Sequence, residues 1–133
     1  DTEVQNKTAD VIFETYRLKT ARLIEAACVA GVQLAGGTEK EVTAASVYGL
    51  NLGIAFQIQD DILDVVGDAK TMGKEPGNDQ KCNKTTYLSL YGMEKAEQEV
   101  LRLLNEAKEA VAIFGEEANM LVSFADKLVK RKM

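Results

Sequence analysis

The feature that most constrains this chain is a set of acidic residues inside a segment that is otherwise almost entirely apolar. Residues 53–66 read GIAFQIQDDILDVV, and their hydrophobic side chains leave only one narrow polar stripe. On a helix with 3.6 residues per turn, Gln57, Asp60, Asp61 and Asp64 project from one side. The segment therefore predicts a helix in the interior of a helical protein, with three carboxylates close together on a buried stripe.

Carboxylates in apolar surroundings need partners, because an isolated buried charge is so costly that such groups pair, become protonated or bind metal. A solvated acidic face with ion-pair partners one turn away is the alternative. No Lys or Arg occurs between Lys40 and Lys70, which argues against local ion pairs. The chain has no His, and Cys28 and Cys82 form no CxxC pair, so zinc is disfavoured. Oxygen ligands favour Mg²⁺, particularly where substrate phosphates share the ion.

The next segment supplies the opposite charge. A glycine and an aspartate at residues 67–68 predict the end of the helix. Residues 73–87 contain two glycines and the only proline, which is typical of an irregular loop. Lys74, Lys81 and Lys84 in this loop could simply be solubilising surface residues. Beside a metal–carboxylate site, however, they would supply the counter-charge of a phosphate group, which favours a polyphosphate ester as ligand.

Several motifs, in a fixed order, carry a resemblance to a known family. The acidic segment and the loop after it resemble the second aspartate-rich region of trans-isoprenyl diphosphate synthases, also called polyprenyl synthetases. Within that family the chain looks most like bacterial farnesyl or geranylgeranyl diphosphate synthases. The resembling segments are RLKTA at residues 17–21, GIAFQIQDDILDVVGD at 53–68, GK at 73–74, GND at 77–79, NKTTY at 83–87 and the basic tail KRK at 130–132.

The resemblance implies an all-α fold, the C-terminal part of the isoprenoid synthase helical bundle. It covers roughly residues 11–133, and no segment before Arg17 matches the other aspartate-rich motif of the family. We therefore interpret residues 1–133 as one helical domain, the C-terminal half of a synthase whose N-terminal half is missing. A chain without those N-terminal helices should expose apolar surface that they would cover.

The resemblance also implies the activity, which is the Mg²⁺-assisted condensation of an allylic prenyl diphosphate with isopentenyl diphosphate. The product would be a short-chain trans-prenyl diphosphate, farnesyl or geranylgeranyl. The implied Mg²⁺ ligands are Asp60, Asp61 and Asp64. The implied catalytic residues are Lys19, Thr20, Gln57 and Lys74. The implied substrate-binding residues are Lys19, Thr20, Phe56, Gln57, Lys74, Lys84, Arg131 and Lys132.

Three other functions remain as alternatives: a non-catalytic partner subunit, an inactive helical fragment and a terpene cyclase. A cyclase ionises one diphosphate with similar carboxylates but has no second diphosphate to hold. Composition narrows the partners, since a formal charge of −5 argues against nucleic acid. No segment is apolar enough for a membrane span, and two isolated cysteines fit a reducing compartment. We expect a cytoplasmic homodimer.

Apolar spacing and glycine positions predict the helices along the chain. Residues 2–35 are expected to be helical with a break near residues 19–20, and Gly36 and Gly37 end this part. Thr38 and Glu41 form a capping-box signature for a helix that runs to about residue 66. Further helices are predicted over residues 85–91, 93–114 and 117–132, with Gly115 as the break between the last two.

Overall fold

The computed structural model describes residues 2–16, 20–72 and 86–129, and every regular element in these ranges is helical. This result confirms the predicted all-α fold class. The elements are α1 (Thr2–Tyr16), α2 (Arg22–Leu34), α3 (Glu39–Met72), α4 (Tyr87–Tyr91), α5 (Met93–Ala110), a 3-10 helix (Val111–Glu117) and α6 (Ala118–Val129).

The long helix α3 is the centre of the fold, and it packs most extensively against α2 and α5. Leu52, Ala55 and Ile58 follow one another at three-residue spacing and are fully buried, and Ile62 extends the same apolar stripe. The helix is 34 residues long. Even so, none of the helices in the described ranges combines the length and the apolar character that a membrane crossing requires.

Two glycines allow α2 and α3 to approach each other closely. A Cβ atom on Gly53 would lie 2.5 Å from the Cα of Ala21, and one on Gly49 would lie 2.7 Å from the Cα of Glu25. Such distances are well inside van der Waals contact, so only residues without a Cβ permit this helix spacing. Because the glycines are one turn apart, they form a flat strip along the face of α3 that meets α2.

Side-chain caps fix where two of the helices begin. At α3, the Thr38 N–H donates to Glu41 Oε1 at 2.8 Å and the Glu41 N–H donates to Thr38 Oγ1 at 3.2 Å, which confirms the predicted capping box. At α4, Thr86 and Ser89 make the same reciprocal pair of bonds. The short α4 therefore begins at a defined residue, Tyr87, directly after its cap Thr86.

Two predicted helix ends are wrong. The prediction that α3 ends near residues 67–68 fails because the helix continues to Met72. A single glycine inside a helix costs only about 1 kcal/mol, and Gly67 is buried within α3. The helix α5 ends at Ala110 rather than at residue 114, because its last turn tightens into the 3-10 helix. The predicted break at Gly115 is confirmed by its φ of 66°.

The last helix, α6, packs on α3 and α5 and completes the hydrophobic core. Its Ala125 and Val129 are buried, as is Val111 in the preceding 3-10 helix. The Tyr48 hydroxyl of α3 donates to the backbone carbonyl of Leu121 at 2.8 Å and ties these two helices together. Burial raises the pKa of Tyr48 to about 12, so the phenol remains a hydrogen-bond donor at neutral pH.

One face of α2 is apolar and uncovered. No residue of this helix is buried, and Leu23 and Leu34 are 75% and 90% exposed. Ala27 and Ala30, which share the face with Leu23 by their helical spacing, are exposed as well. Contiguous apolar surface of this kind usually marks a contact with further protein. The face agrees with the expectation that this chain exposes apolar surface.

The close approach of α2 and α3 predicts opposite effects for two glycine-to-alanine substitutions in this chain. Gly53→Ala should destabilise the fold by about 1–3 kcal/mol, because the new methyl group would overlap the backbone of Ala21. Gly31→Ala lies in an exposed part of α2, where the new methyl group would meet no atom within 4 Å outside the adjacent helix backbone, so it should stabilise the fold by roughly 0.5–1 kcal/mol. Urea unfolding followed by circular dichroism measures both effects. Equal stability of the two variants would contradict the proposed close approach.

Candidate active site

The acidic stripe of α3 is more open than the sequence predicts. Asp60 and Asp61 are half-buried and Asp64 is exposed, so the expectation of a wholly buried stripe is wrong. Asp60 and Asp64 stand one turn apart on the same face, and Asp61 lies about 100° around the helix from Asp60. The aspartates are partly exposed because their apolar neighbours occupy the buried faces of α3, and the carboxylates lie where those faces meet the solvent.

Asp61 is held by a tyrosine that the sequence reasoning missed. Tyr16, the last residue of α1, donates its hydroxyl proton to Asp61 Oδ2 at 2.5 Å, and the same hydroxyl oxygen accepts the Tyr87 N–H at 3.1 Å. Burial raises the pKa of Tyr16, and the hydrogen bond to Asp61 acts in the same direction. The phenol therefore stays protonated at neutral pH. The only sequence signal for this residue is its position four residues before Thr20.

Thr20 and Gln57, both predicted as catalytic residues, are brought into direct contact. The Gln57 side chain is almost completely buried, and its Nε2 donates to Thr20 Oγ1 at 2.6 Å. Thr20 lies in a π-helical turn directly before α2, next to Ala21. Because Gln57 follows Gly53 by one turn, the glycine-mediated contact with Ala21 is what sets the Thr20–Gln57 distance.

These polar groups are arranged along a single helix. Gln57 and Asp64 are seven residues apart, which is about 10 Å along the axis of α3. Asp60 and Asp61 lie between them, and Phe56, predicted to bind substrate, is half-buried beside Gln57. A neutral amide–hydroxyl pair thus stands at one end of the stripe and carboxylates stand at the other. Such a surface can hold a ligand about 10 Å long that binds the carboxylates through a cationic or metal-bound end and contacts the amide–hydroxyl pair through a neutral end.

The remaining predicted site residues lie outside the described ranges, so their positions stay predictions. They are Lys19, Lys74, Lys84, Arg131 and Lys132.

The carboxylates of α3 fit Mg²⁺ that is shared with an anionic ligand. In the part of the chain that the structure describes, no three Asp, Glu, Cys or His side chains gather closely enough to enclose a metal ion. Mg²⁺ does not need such an enclosure, since it usually takes one or two carboxylates and completes its shell with phosphate oxygens and water. Asp60 and Asp64, on adjacent turns of one face, offer a donor set of that kind.

A family model described as polyprenyl synthetase matches residues 1–120 of the chain. The chain is 42% identical over 113 residues to a dimethylallyltranstransferase of Fischerella ambigua strain UTEX 1903, a match that covers 85% of the chain and 33% of that protein. It is 36% identical to the farnesyl diphosphate synthase of Escherichia coli K12, a match that covers 98% of the chain and 45% of that protein. The chain therefore spans between a third and half of the length of these relatives.

Solved structures give the same result for the fold. A geranylgeranyl pyrophosphate synthase matches with a TM-score of 0.70 at 28% identity, covering 92% of this chain and 51% of that one. A geranyltransferase of Legionella pneumophila matches with a TM-score of 0.68, also at 28% identity, covering 90% of this chain and 37% of that one. The helices described above are thus part of the isoprenoid synthase helical bundle. Together with the family-model match, these similarities establish that the chain belongs to the polyprenyl synthetase family.

Proposed function

We propose that this chain is the C-terminal part of a short-chain trans-prenyltransferase, which joins an allylic prenyl diphosphate to isopentenyl diphosphate. The observation that carries this proposal is the arrangement along α3, where Gln57 and the three carboxylates share one stripe and Gln57 is hydrogen-bonded to Thr20. The names of the relatives, farnesyl and geranylgeranyl diphosphate synthase, support the same activity. The product would be farnesyl or geranylgeranyl diphosphate.

Two observations support a longer protein. The relatives are two to three times the length of the matched region, and α2 exposes an apolar face that further helices would cover. We propose that an N-terminal half contributes these helices together with another aspartate-rich motif. The proposed assembly is a cytoplasmic homodimer that does not bind nucleic acid, in keeping with the formal charge of −5.

The proposed reaction begins when the carbon–oxygen bond of the allylic diphosphate breaks and its electron pair leaves with the diphosphate. Asp60, Asp61 and Asp64 would hold Mg²⁺, which when bound offsets the negative charge that develops on the leaving group. The double bond of isopentenyl diphosphate then attacks the allylic cation and forms the new carbon–carbon bond. The cation that results gives a proton to the released diphosphate, which completes the product. We propose that the following basic side chains bind the diphosphates: Lys19, Lys74, Lys84, Arg131 and Lys132.

The neutral end of the stripe has a separate role in this proposal. The hydrogen bond from Gln57 Nε2 to Thr20 Oγ1 fixes both side chains, and their oxygen atoms are the negative ends of the two dipoles. Dipoles that are already oriented stabilise a positive carbon chain without reorganisation during the reaction. Phe56 and the apolar residues of α3 would exclude water that would otherwise quench the cation.

Removing one proposed metal ligand should lower turnover without unfolding the protein. In the full-length synthase, Asp60→Ala or Asp64→Ala should reduce kcat by about 100-fold or more at saturating Mg²⁺, because an electrostatic group of the transition state is lost. Glu97→Ala, an exposed carboxylate of α5, is the matched control and should keep wild-type kcat. Steady-state kinetics with unchanged circular dichroism checks this. Wild-type turnover of either aspartate variant would refute the role of that residue.

The Thr20–Gln57 contact predicts a difference between two conservative substitutions. Thr20→Val keeps the shape of the side chain but leaves the buried Gln57 amide without its acceptor, which should cost about 1–3 kcal/mol of stability and lower kcat. Thr20→Ser retains the hydroxyl and should recover most of both losses. Urea unfolding and steady-state kinetics are the measurements. If Thr20→Ser and Thr20→Val have the same stability and the same kcat, the hydrogen bond between Thr20 and Gln57 has no functional role.

A labelling experiment tests the reaction itself. The full-length protein is supplied with Mg²⁺, radiolabelled isopentenyl diphosphate and either dimethylallyl or geranyl diphosphate, and the products are dephosphorylated and separated by chromatography. We expect the label in a linear prenyl alcohol, because the proposed site holds one diphosphate for ionisation and a second one for attack. A cyclic hydrocarbon without label would identify a terpene cyclase instead. Absence of any product would favour a non-catalytic protein.

A further inference from the structure

One hydroxyl group connects three helices at the acidic end of the stripe. The Tyr16 hydroxyl of α1 donates to Asp61 Oδ2 of α3 at 2.5 Å and accepts the N–H of Tyr87, the first residue of α4, at 3.1 Å. The three residues are separated by 45 and 71 positions in sequence, counted from Tyr16. The contact therefore joins distant parts of the chain rather than stabilising a local turn.

The Tyr87 amide supplies one half of this connection. The first N–H groups of a helix have no acceptor within the helix, and the Thr86 cap accepts the N–H of Ser89 instead. The Tyr16 oxygen thus serves as the acceptor that the helix itself does not provide for Tyr87. Donation by the amide also polarises the phenol and makes its own O–H a stronger donor toward the carboxylate.

Packing holds the phenol in place. Tyr16 is 7% exposed, and Phe13 lies edge-on to its ring, with ring centroids 6.5 Å apart. Phe13 also makes an edge contact with Tyr87, at 5.5 Å between centroids. An aromatic ring confined in this way has little rotational freedom. The position of the hydroxyl, and of the carboxylate oxygen that it meets, is consequently set before any ligand arrives.

We propose that Tyr16 is a positioning residue of the acidic site, holding Asp61 by one oxygen and fixing the start of α4 against it. The inference rests on the proposed function and deepens it, because a carboxylate that is already oriented binds Mg²⁺, and through Mg²⁺ the diphosphate, at a smaller ordering cost. Tyr16 touches neither metal nor substrate in this role and acts only through Asp61. Its neutral hydroxyl orients the carboxylate without cancelling the negative charge that a cation requires.

The test compares Tyr16→Phe with Tyr48→Phe in the full-length protein. Both variants remove one hydrogen-bonded hydroxyl from a buried tyrosine, but the Tyr48 hydroxyl donates to a backbone carbonyl in α6 and contacts no carboxylate of the stripe. The first readout is hydrogen exchange of the Tyr87 amide without ligand, measured by mass spectrometry. We expect exchange to accelerate about tenfold or more in Tyr16→Phe and to stay near the wild-type rate in Tyr48→Phe.

The second readout is a thermal-shift titration with Mg²⁺ and inorganic diphosphate. A partner that orients a metal ligand typically contributes roughly 10–100-fold to metal affinity. We therefore expect the ligand concentration at the midpoint of the titration to rise about tenfold or more in Tyr16→Phe and to remain unchanged in Tyr48→Phe. The melting temperature without ligand should be lower in both variants. A common loss of stability cannot produce this difference in midpoint.

The outcomes separate this inference from the function on which it rests. Faster Tyr87 exchange together with a raised midpoint, both confined to Tyr16→Phe, supports the positioning role. A normal midpoint in Tyr16→Phe, with a clear response of the wild type, overturns the positioning role and leaves the proposed function intact. Unchanged Tyr87 exchange overturns the connection itself. If the wild type does not respond to Mg²⁺ and diphosphate, the proposed function fails and the positioning role fails with it.

Discussion

The spacing between α2 and α3 is the constraint on which the rest of the site depends. Gly49 and Gly53 let the backbone of α2 and of its N-cap residue Ala21 come so near that a Cβ on either glycine would lie under 3 Å from it. One turn further along α3, Gln57 then reaches Thr20 at 2.6 Å. A separation greater by even 1 Å would stretch this bond beyond hydrogen-bonding distance and leave a buried amide unpaired. Backbone contact at two glycines thus determines side-chain geometry at the polar stripe.

A single helix combines packing and charge because each function occupies a different face. The apolar residues of α3 fill the core, while its carboxylates emerge half-buried or exposed. Partial burial keeps these carboxylates close to low-dielectric protein, which strengthens their attraction for cations, yet spares them the full cost of desolvation. Tyr16 adds order without adding charge. The acidic turn can therefore be rigid and still strongly negative when a ligand arrives.

The sequence predicted most of the helices for identifiable physical reasons, and two of its candidate site residues, Thr20 and Gln57, lie in contact. Helical spacing and caps depend on neighbours within one turn, so the box formed by Thr38 and Glu41 and the break at Gly115 were both correct. The continuation of α3 past Gly67 was not, because tertiary packing outweighs a small local penalty. Tyr16 was missed for a related reason. Its partners, Asp61 and Tyr87, are adjacent only after three helices have packed.

Two surfaces of the described helices favour opposite kinds of partner. The apolar face of α2 gains stability only by burial against further apolar protein, whereas the carboxylates of α3 are best satisfied by cations. In the proposed synthase the N-terminal half meets the first need and the metal–diphosphate complex meets the second. Burial of the α2 face against further helices requires no ligand, so folding would be complete before the substrate binds. Binding energy would remain available for orienting the diphosphate rather than for assembling the protein around it.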